Sequence, residues 1–314
     1  MKIIVLGGCG YVGTNLVLEL LRLKYYVKVI DNRWFGNFLG KNKRLINIKK
    51  DIRNLTISDF KNYDCVIHLA NIANDPSVEL NPILSWEINV LSSYTIADLS
   101  SRAGIKKFIY ASSGSVYGVK KELKVHEDLT LNPISTYNKT KMVAERIFLS
   151  YKNIMKVFCI RPATVCGISK RMRFDLTVNL LTLQAIKNKK ITVFGGKQFR
   201  PAVHIDDLTS IYIHFLNKNI KQGIYNAGFE NISVEKIAKK IQKKIDCRLI
   251  FSKTNDIRSY RLDSSKLIST NFKPRFNIDY AIEQIIGQNN KGKLEDRDSS
   301  YTVKWMKKLK LDNL

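Results

Sequence analysis

The sequence has no long apolar run, few cysteines and few histidines. Its five cysteines are scattered and odd in number, and its four histidines do not cluster. Neither set has the spacing of a metal site, so we expect no metal and a reducing, cytoplasmic location. No apolar segment approaches the length of a membrane span, and the first predicted strand begins at Lys2 with no leader before it. We therefore expect no signal peptide and no integral membrane segment.

Acidic side chains are also scarce. The chain carries 27 Asp and Glu against 53 Lys and Arg, a formal net charge of +26 at pH 7. This imbalance raises the hypothesis of nucleic-acid binding, but the basic residues are spread along the whole chain without an aromatic–basic motif. We expect no nucleic-acid partner and interpret the charge as attractive to an anionic, diphosphate-bearing substrate. The basic, amphipathic segment 304–310 is either a frayed terminal helix or a membrane-surface element.

Apolar strands alternate with amphipathic helices through the first half of the chain. Strands are predicted at 2–6, 26–31, 45–49, 64–70, 106–112 and 155–161, and helices at 11–24, 81–102 and 135–152. This alternation predicts an α/β fold: a Rossmann-type doubly wound parallel sheet with a smaller α+β lobe. We assign residues 1–165 to the sheet domain and 166–190 and 227–314 to the lobe, and we expect strands near 191–226 to return to the sheet. Ligands of such sheets bind beyond the carboxyl ends of the strands.

The first strand runs directly into a glycine-spaced turn over residues 7–13. Glycines permit the tight turn, the close approach of a pyrophosphate and the packing of the next helix, whose N-terminal N–H groups point at phosphates. Asp31 ends the second strand, at the distance expected of an acid that binds ribose hydroxyls. Because a carboxylate repels a 2′-phosphate, the pattern predicts NAD rather than NADP. Arg33 is the one neighbour that argues the other way.

A tyrosine and a lysine lie four residues apart in the helix predicted at 135–152. Tyr137 and Lys141 therefore share one helical face. A phenol ionises near pH ~10, and a neighbouring ammonium favours the phenolate, so we expect Lys141 to lower the pKa of Tyr137. Tyr137 could then take a proton from a sugar hydroxyl. Ser113 follows the strand at 106–112, at the same edge of the sheet, where it can hydrogen-bond the reacting oxygen.

Together these motifs resemble the extended short-chain dehydrogenase/reductases, and among them the NAD-dependent nucleotide-sugar epimerase/dehydratase family. Further matches cover nearly the whole chain: Asp51-Ile52, His68-Leu69-Ala70, Asn89-Val90, Arg161-Pro162, Asn179-Leu180, Arg200…His204…Asp207-Leu208 and Asp256-Ile257-Arg258…Asp263…Lys266. The motifs are specific for the family and much less specific for the substrate.

The resemblance implies a cofactor site and a catalytic group. The residues that it assigns to NAD are, in chain order, Gly7, Gly10, Tyr11, Val12, Gly13, Asp31, Asn32, Asp51, Ile52, Leu69, Ala70 and Lys141. Tyr137 would be the catalytic acid/base. Lys141 would hold the nicotinamide ribose and tune Tyr137, and Ser113 would orient the sugar hydroxyl.

The resemblance also implies a nucleotide-diphosphate sugar as the substrate. Asn179 and Leu180 would contact the nucleotide diphosphate. Arg200 and Arg258 would hold its phosphates, because a guanidinium fork matches phosphate oxygens. Ser113 and Tyr137 would contact the sugar.

A pair of arginines in the second lobe has two possible roles. Arg171 and Arg173, two residues apart in a loop expected near the sugar, are either a substrate-specific clamp or an oligomer contact.

Many relatives dimerise through the helices that match 81–102 and 135–152. The first of these is apolar on more than one side here, so we expect a homodimer.

The residues after Ser113 narrow the reaction. Members of the family that act as 4,6-dehydratases usually carry an acidic residue there, whereas this chain has Gly114-Ser115 and lacks that proton donor. Two reactions remain that need only Tyr137, Ser113 and NAD. One is epimerisation by reversible hydride transfer at the sugar C4, which we favour. The other is one-way oxidation or reduction at C4, as in enzymes acting on nucleotide-activated heptoses. A non-catalytic dinucleotide-binding sensor is disfavoured, because Tyr137, Lys141 and Ser113 are all present.

Overall fold

The computed structural model describes residues 1–217, 219–254 and 259–312. The strands within these ranges are β1 Lys2–Leu6, β2 Tyr26–Asp31, β3 Leu45–Lys49, β4 Cys65–His68, β5 Lys107–Ala111, β6 Lys156–Pro162, β7 Thr164–Cys166, β8 Lys190–Phe194, β9 Phe199–His204, β10 Gly223–Ala227, β11 Glu230–Ser233 and β12 Arg248–Ser252. The α-helices are α1 Tyr11–Arg22, α2 Ile57–Phe60, α3 Asp75–Val78, α4 Pro82–Trp86, α5 Ser92–Arg102, α6 Thr136–Ser150, α7 Thr177–Asn188, α8 Ile205–Asn217, α9 Val234–Gln242, α10 Ser265–Ile268, α11 Ile278–Asn290 and α12 Thr302–Lys308. None of these helices combines the length and apolarity needed to span a bilayer.

Seven parallel strands form the central sheet, in the order β10-β6-β5-β4-β1-β2-β3. The chain begins in the middle of the sheet, proceeds to one edge, then returns and builds the other half. The order therefore reverses next to β1, and a crevice opens there at the carboxyl ends of the strands. The prediction of a doubly wound parallel sheet is confirmed.

Helices cover both faces of this sheet because its strands are apolar on both sides. Ile3 and Val5 belong to the core against α1 and α8, whereas Ile4 and Leu6 belong to the core against α5 and α6. All four side chains are fully buried. The alternation within one strand thus anchors a helical layer on each side.

The second lobe contains two small sheets. β7, β9 and β11 form one, and β8 pairs with β12 in the other. Of the strands that we expected near 191–226 to return to the main sheet, only β10 does so. β8 and β9 pair within the lobe instead, because their buried side chains pack against α7, α9 and α11.

The predicted helix at 81–102 is divided into three segments. α4 is followed by a π-helical turn over Glu87–Leu91 and then by α5. The buried Asn89 lies in that turn. Its side-chain amide accepts from the Ile72 N–H at 2.9 Å and donates to the Ile72 carbonyl at 3.1 Å and to Thr140 Oγ1 at 3.2 Å. The turn thereby ties the loop after β4 to helix α6, which carries Tyr137.

A buried ion pair fixes α6 to the sheet. The Glu145 carboxylate accepts from Arg161 Nε at 2.8 Å and from Arg161 Nη2 at 2.7 Å, and both side chains are almost fully buried. Ser112 Oγ also donates to Glu145, and Arg161 Nη1 donates to Tyr117 Oη at 2.7 Å. This network joins α6, β6 and the end of β5, where Ser113 follows.

Candidate functional site

Two adjacent cavities lie at the carboxyl edge of the main sheet. The first, of about 220 Å³, lies beyond β1, β2 and β4. The second, of about 800 Å³, lies beyond β5 and β6 and against the second lobe. They share the wall residues Ala73, Val165, Arg173, Leu176 and Thr302. The two cavities therefore adjoin each other along these residues.

The first cavity is lined by nearly all the residues predicted to bind NAD. These are Gly7, Gly10, Tyr11, Val12, Gly13, Asp31, Asn32, Asp51, Ile52, Leu69 and Ala70. Lys141 does not line it. Trp34, Phe35 and Met306, which the sequence did not single out, complete much of its apolar wall.

The glycine turn has no room for side chains at two positions. Gly7 has a φ of +80°, and a Cβ there would lie 2.4 Å from the backbone nitrogen of Ala70. A Cβ at Gly13 would lie 2.3 Å from the Gly7 carbonyl oxygen. The bare turn meets the start of α1, whose first N–H groups have no partner within the helix and favour an anion. This cradle fits the diphosphate of a dinucleotide.

Asp31 contributes a carboxylate to the first cavity. Its Oδ1 accepts from the Arg33 N–H at 2.7 Å and its Oδ2 from the Cys9 N–H at 2.9 Å. Burial raises the pKa of Asp31, and these two hydrogen bonds oppose the rise. Each oxygen keeps a lone pair for a ribose hydroxyl. The Arg33 guanidinium donates to Asn47 and does not line the cavity, so it offers no site for a 2′-phosphate.

Tyr137 and Ser113 lie together in the wall of the second cavity. The pKa of Tyr137 is raised to about 12, chiefly by burial, and the charge of Asp75 acts in the same direction. A hydrogen bond with Ser113 and the charge of Arg173 act in the opposite direction. The sequence predicted a lowered pKa for Tyr137, with Lys141 as the cause, but the pKa is raised because desolvation of the phenol outweighs its polar contacts.

Lys141 is buried behind the cavity wall. Its Nζ donates to the Ala111 carbonyl at 2.7 Å and lies 5.0 Å from the ring centroid of Tyr110 and 5.9 Å from that of Tyr137. Burial lowers the pKa of Lys141 to about 7, against the attraction of Glu145. The ammonium therefore lies over aromatic rings and holds its charge weakly near neutral pH.

The residues predicted to bind the nucleotide diphosphate are only partly in the cavity walls. Arg200 lines the second cavity, and Arg258 lies outside the described residues. Asn179 and Leu180 line neither cavity. The amide of the fully buried Asn179 is bonded to the Gly167 N–H, Tyr11 Oη and the Arg173 carbonyl, so it fixes the loop that carries Arg173.

Arg171 and Arg173 occupy different positions. Arg171 lines the first cavity, whereas Arg173 lines both. The Arg173 guanidinium forms a fork with Asp175, at 2.9 and 3.0 Å. Asp175 also accepts from Asn74 Nδ2 and from the Thr302 N–H, each at 3.2 Å. Asp175 was not singled out from the sequence, although its spacing of two from Arg173 could have suggested the pair.

Helix α12 covers the outer side of both cavities. Thr302 and Met306 line the first, and Lys304 and Lys307 line the second. Trp305 Nε1 donates to the Trp34 carbonyl at 2.5 Å. Met306 of this helix is buried and Trp305 is bonded to Trp34, so the helix packs against the protein and the prediction of a frayed terminal helix is wrong.

Comparisons with known proteins identify the family of the chain. A model of the NAD dependent epimerase/dehydratase family matches residues 3–228. The chain is 30% identical over 262 residues to an uncharacterized UDP-glucose epimerase of Bacillus subtilis, covering 77% of this chain and 81% of that protein. It is 27% identical over 270 residues to a UDP-glucose 4-epimerase of Lactobacillus helveticus, covering 77% and 82%. Among solved structures, UDP-glucuronic acid 4-epimerase from Bacillus cereus, in complex with UDP-glucuronic acid and NAD, aligns with a TM-score of 0.80 at 27% identity, over 90% of this chain and 97% of that one.

Proposed function

The chain belongs to the NAD-dependent epimerase/dehydratase family, and we propose that within it the protein is a nucleotide-sugar 4-epimerase. The observation that carries the proposal is the joint position of Tyr137 and Ser113, in a cavity that adjoins the glycine-turn cavity. The names of the relatives support C4 as the reacting carbon, since two of those compared are 4-epimerases.

In the proposed reaction, Tyr137 exchanges a proton with the C4 hydroxyl of the sugar. With a pKa of about 12, its phenol is protonated at neutral pH and acts as the acid when the keto-sugar is reduced. Ser113 hydrogen-bonds Tyr137 and can orient the sugar oxygen. When bound, NAD supplies the hydride acceptor, and its positive nicotinamide ring favours the phenolate needed for oxidation.

The substrate cavity supports epimerisation over dehydration. Its volume of about 800 Å³ falls at the upper end of ligand pockets and leaves room for a sugar to turn. Gly114 and Ser115 follow Ser113, so the acidic residue of a 4,6-dehydratase is absent there. A side chain at position 114 would also require Leu262 to shift, since a Cβ there would lie 2.8 Å from Leu262 Cδ1. We propose that Arg200, Arg258 and Arg173 hold the substrate diphosphate, with Asn179 and Leu180 supporting the loop.

The experiment that tests this function is incubation of the pure protein with a panel of UDP, GDP, dTDP and CDP sugars, with and without added NAD. NMR would follow the configuration at C4, and absorbance would follow NADH. We expect inversion at C4 without net NADH. A keto-sugar accumulating with stoichiometric NADH would instead identify a C4 dehydrogenase and replace the proposal.

We also propose a homodimer, supported by apolar side chains exposed along α4, the π-helical turn and α5. Ile83, Leu91 and Tyr94 are 75%, 63% and 61% exposed, and Trp86 is 37% exposed. Exposed apolar residues grouped on one pair of helices mark a protein–protein contact. All four residues lie in the first of the two segments, 81–102 and 135–152, through which the family resemblance implies dimerisation.

A Leu91→Lys/Tyr94→Lys double variant should be monomeric. Two ammonium groups would have to be desolvated in the interface, which costs several kcal/mol. Light scattering after size exclusion would give the mass. The control is Leu123→Lys, which replaces a leucine that is 76% exposed and lies outside these helices. A double variant of unchanged dimeric mass would contradict the assignment of this surface.

A further inference from the structure

Arg171 is a buried cation without a hydrogen-bond partner at Nε. The residue is 4% exposed, and its Nε is buried and unbonded among the described residues. Its Cζ lies 4.3 Å from the ring centroid of Phe35, also in the first cavity. A buried charge without compensating hydrogen bonds destabilises the folded protein, so we expect a bound ligand to supply the hydrogen-bond acceptor for Arg171.

Hydrogen bonds hold the loop before Arg171 against the start of α1. Tyr11 Oη donates to the Gly167 carbonyl at 2.7 Å, and Ser169 Oγ donates to the Tyr11 carbonyl at 2.9 Å. Asn15 Nδ2 donates to the Ile168 carbonyl at 3.0 Å. The second lobe is therefore attached to the helix whose N-terminus closes the glycine turn, and Arg171 enters the same cavity wall as that turn.

The charges around Arg171 leave it poorly neutralised. Its pKa is lowered to about 9, chiefly by burial, and the charge of Arg173 acts in the same direction. Asp175, Tyr11 and Asp31 attract it, but no ion pair within contact distance is found in the described ranges. Asp175 is already in a fork with Arg173, and Asp31 accepts two backbone N–H groups.

We propose that Arg171 binds the diphosphate of NAD, which makes it neither a sugar clamp nor an oligomer contact. The glycine turn supplies backbone N–H groups and the helix dipole, and Arg171 supplies the full positive charge that this turn lacks. The cofactor thereby becomes a ligand of both lobes. The proposal concerns cofactor binding alone, so it holds whether the reaction is epimerisation or one-way oxidation.

The test is the affinity of Arg171→Gln for three probes: NAD, ADP-ribose and adenosine. Titration calorimetry, or competition against NADH fluorescence, would give each dissociation constant. Loss of a charged hydrogen bond should raise the dissociation constants of NAD and ADP-ribose by about 10-fold to 100-fold. The dissociation constant of adenosine, which has no phosphate, should change by less than about 2-fold. The matched control is Lys170→Gln, which removes the neighbouring, exposed cation and should leave all three affinities unchanged.

The unliganded variant provides an independent readout. Because Arg171 lacks a partner without the cofactor, Arg171→Gln should melt no lower than the parent, while added NAD should raise its Tm less. Arg171→Lys keeps the charge but loses the fork, so its NAD affinity should be intermediate. Unchanged NAD affinity in Arg171→Gln would overturn the proposal, and so would an equal loss for adenosine. An inactive protein that binds NAD through Arg171 would refute only the reaction.

Discussion

Replacing Tyr137 with Phe is expected to lower kcat by about 1,000-fold while leaving NAD affinity within about 2-fold of the parent. The phenol is the hydroxyl that, in the proposed reaction, moves a proton at the sugar C4 oxygen. Its ring, which packs with the buried cluster on the α5 and α6 side of the sheet, is retained in the variant. Stopped-flow or steady-state turnover of the substrate found in the panel would give kcat, and calorimetry would give the NAD affinity.

The matched control for this experiment is Tyr151→Phe, which removes a phenolic hydroxyl just beyond the end of the same helix, α6. It should leave kcat unchanged. Ser113→Ala should retain more activity than Tyr137→Phe, because its hydroxyl only orients and hydrogen-bonds the reacting groups. Full turnover by Tyr137→Phe would remove the acid/base assignment and revive a non-catalytic, dinucleotide-binding role.

Replacing Arg161 with Met should lower the free energy of unfolding by about 3–5 kcal/mol. The change leaves the Glu145 carboxylate buried without its fork and removes the donor to Tyr117. An unpaired buried charge is the costly species, because neither water nor a partner compensates it. Urea or guanidinium denaturation followed by circular dichroism would measure the loss.

Two further variants separate this explanation from simple loss of packing. Arg146→Gln removes an exposed cation from α6, the helix that carries Glu145. It should change the free energy of unfolding by less than about 0.5 kcal/mol. Glu145→Leu/Arg161→Met removes both charges and should be more stable than Arg161→Met alone. A double variant that is less stable than the single one would show that packing, not the stranded charge, sets the cost.

The parts of the fold that the sequence predicted are those encoded locally. The apolar strand β1, the glycine turn after it and Asp31 at the end of β2 can each be recognised from a short stretch of sequence. They predicted both the sheet and the residues that line the first cavity. The family and its NAD cofactor, inferred from the same motifs, are confirmed. The roles of the individual site residues, and the division into 1–165 and a lobe, stay predictions.

The remaining features depend on contacts between distant segments. Spacing placed Lys141 on the same helical face as Tyr137, but it could not show that burial dominates the pKa of both groups. Nor could it show that Asn179 turns toward Tyr11, or that β8 finds its partner in β12. In each case the neighbours come from elements far away along the chain, and desolvation is a property of the assembled core.

Helix α12 has a consequence for the order in which the protein is made. Gly7 and Asp31 line the first cavity together with Thr302 and Met306, so its wall combines residues that are synthesised early with residues that are synthesised much later. A nascent chain can pair β1 with β2 while still on the ribosome, yet the enclosed cavity cannot exist until residue 306 has emerged from the exit tunnel. Closure of the cavity therefore follows the early folding of the sheet.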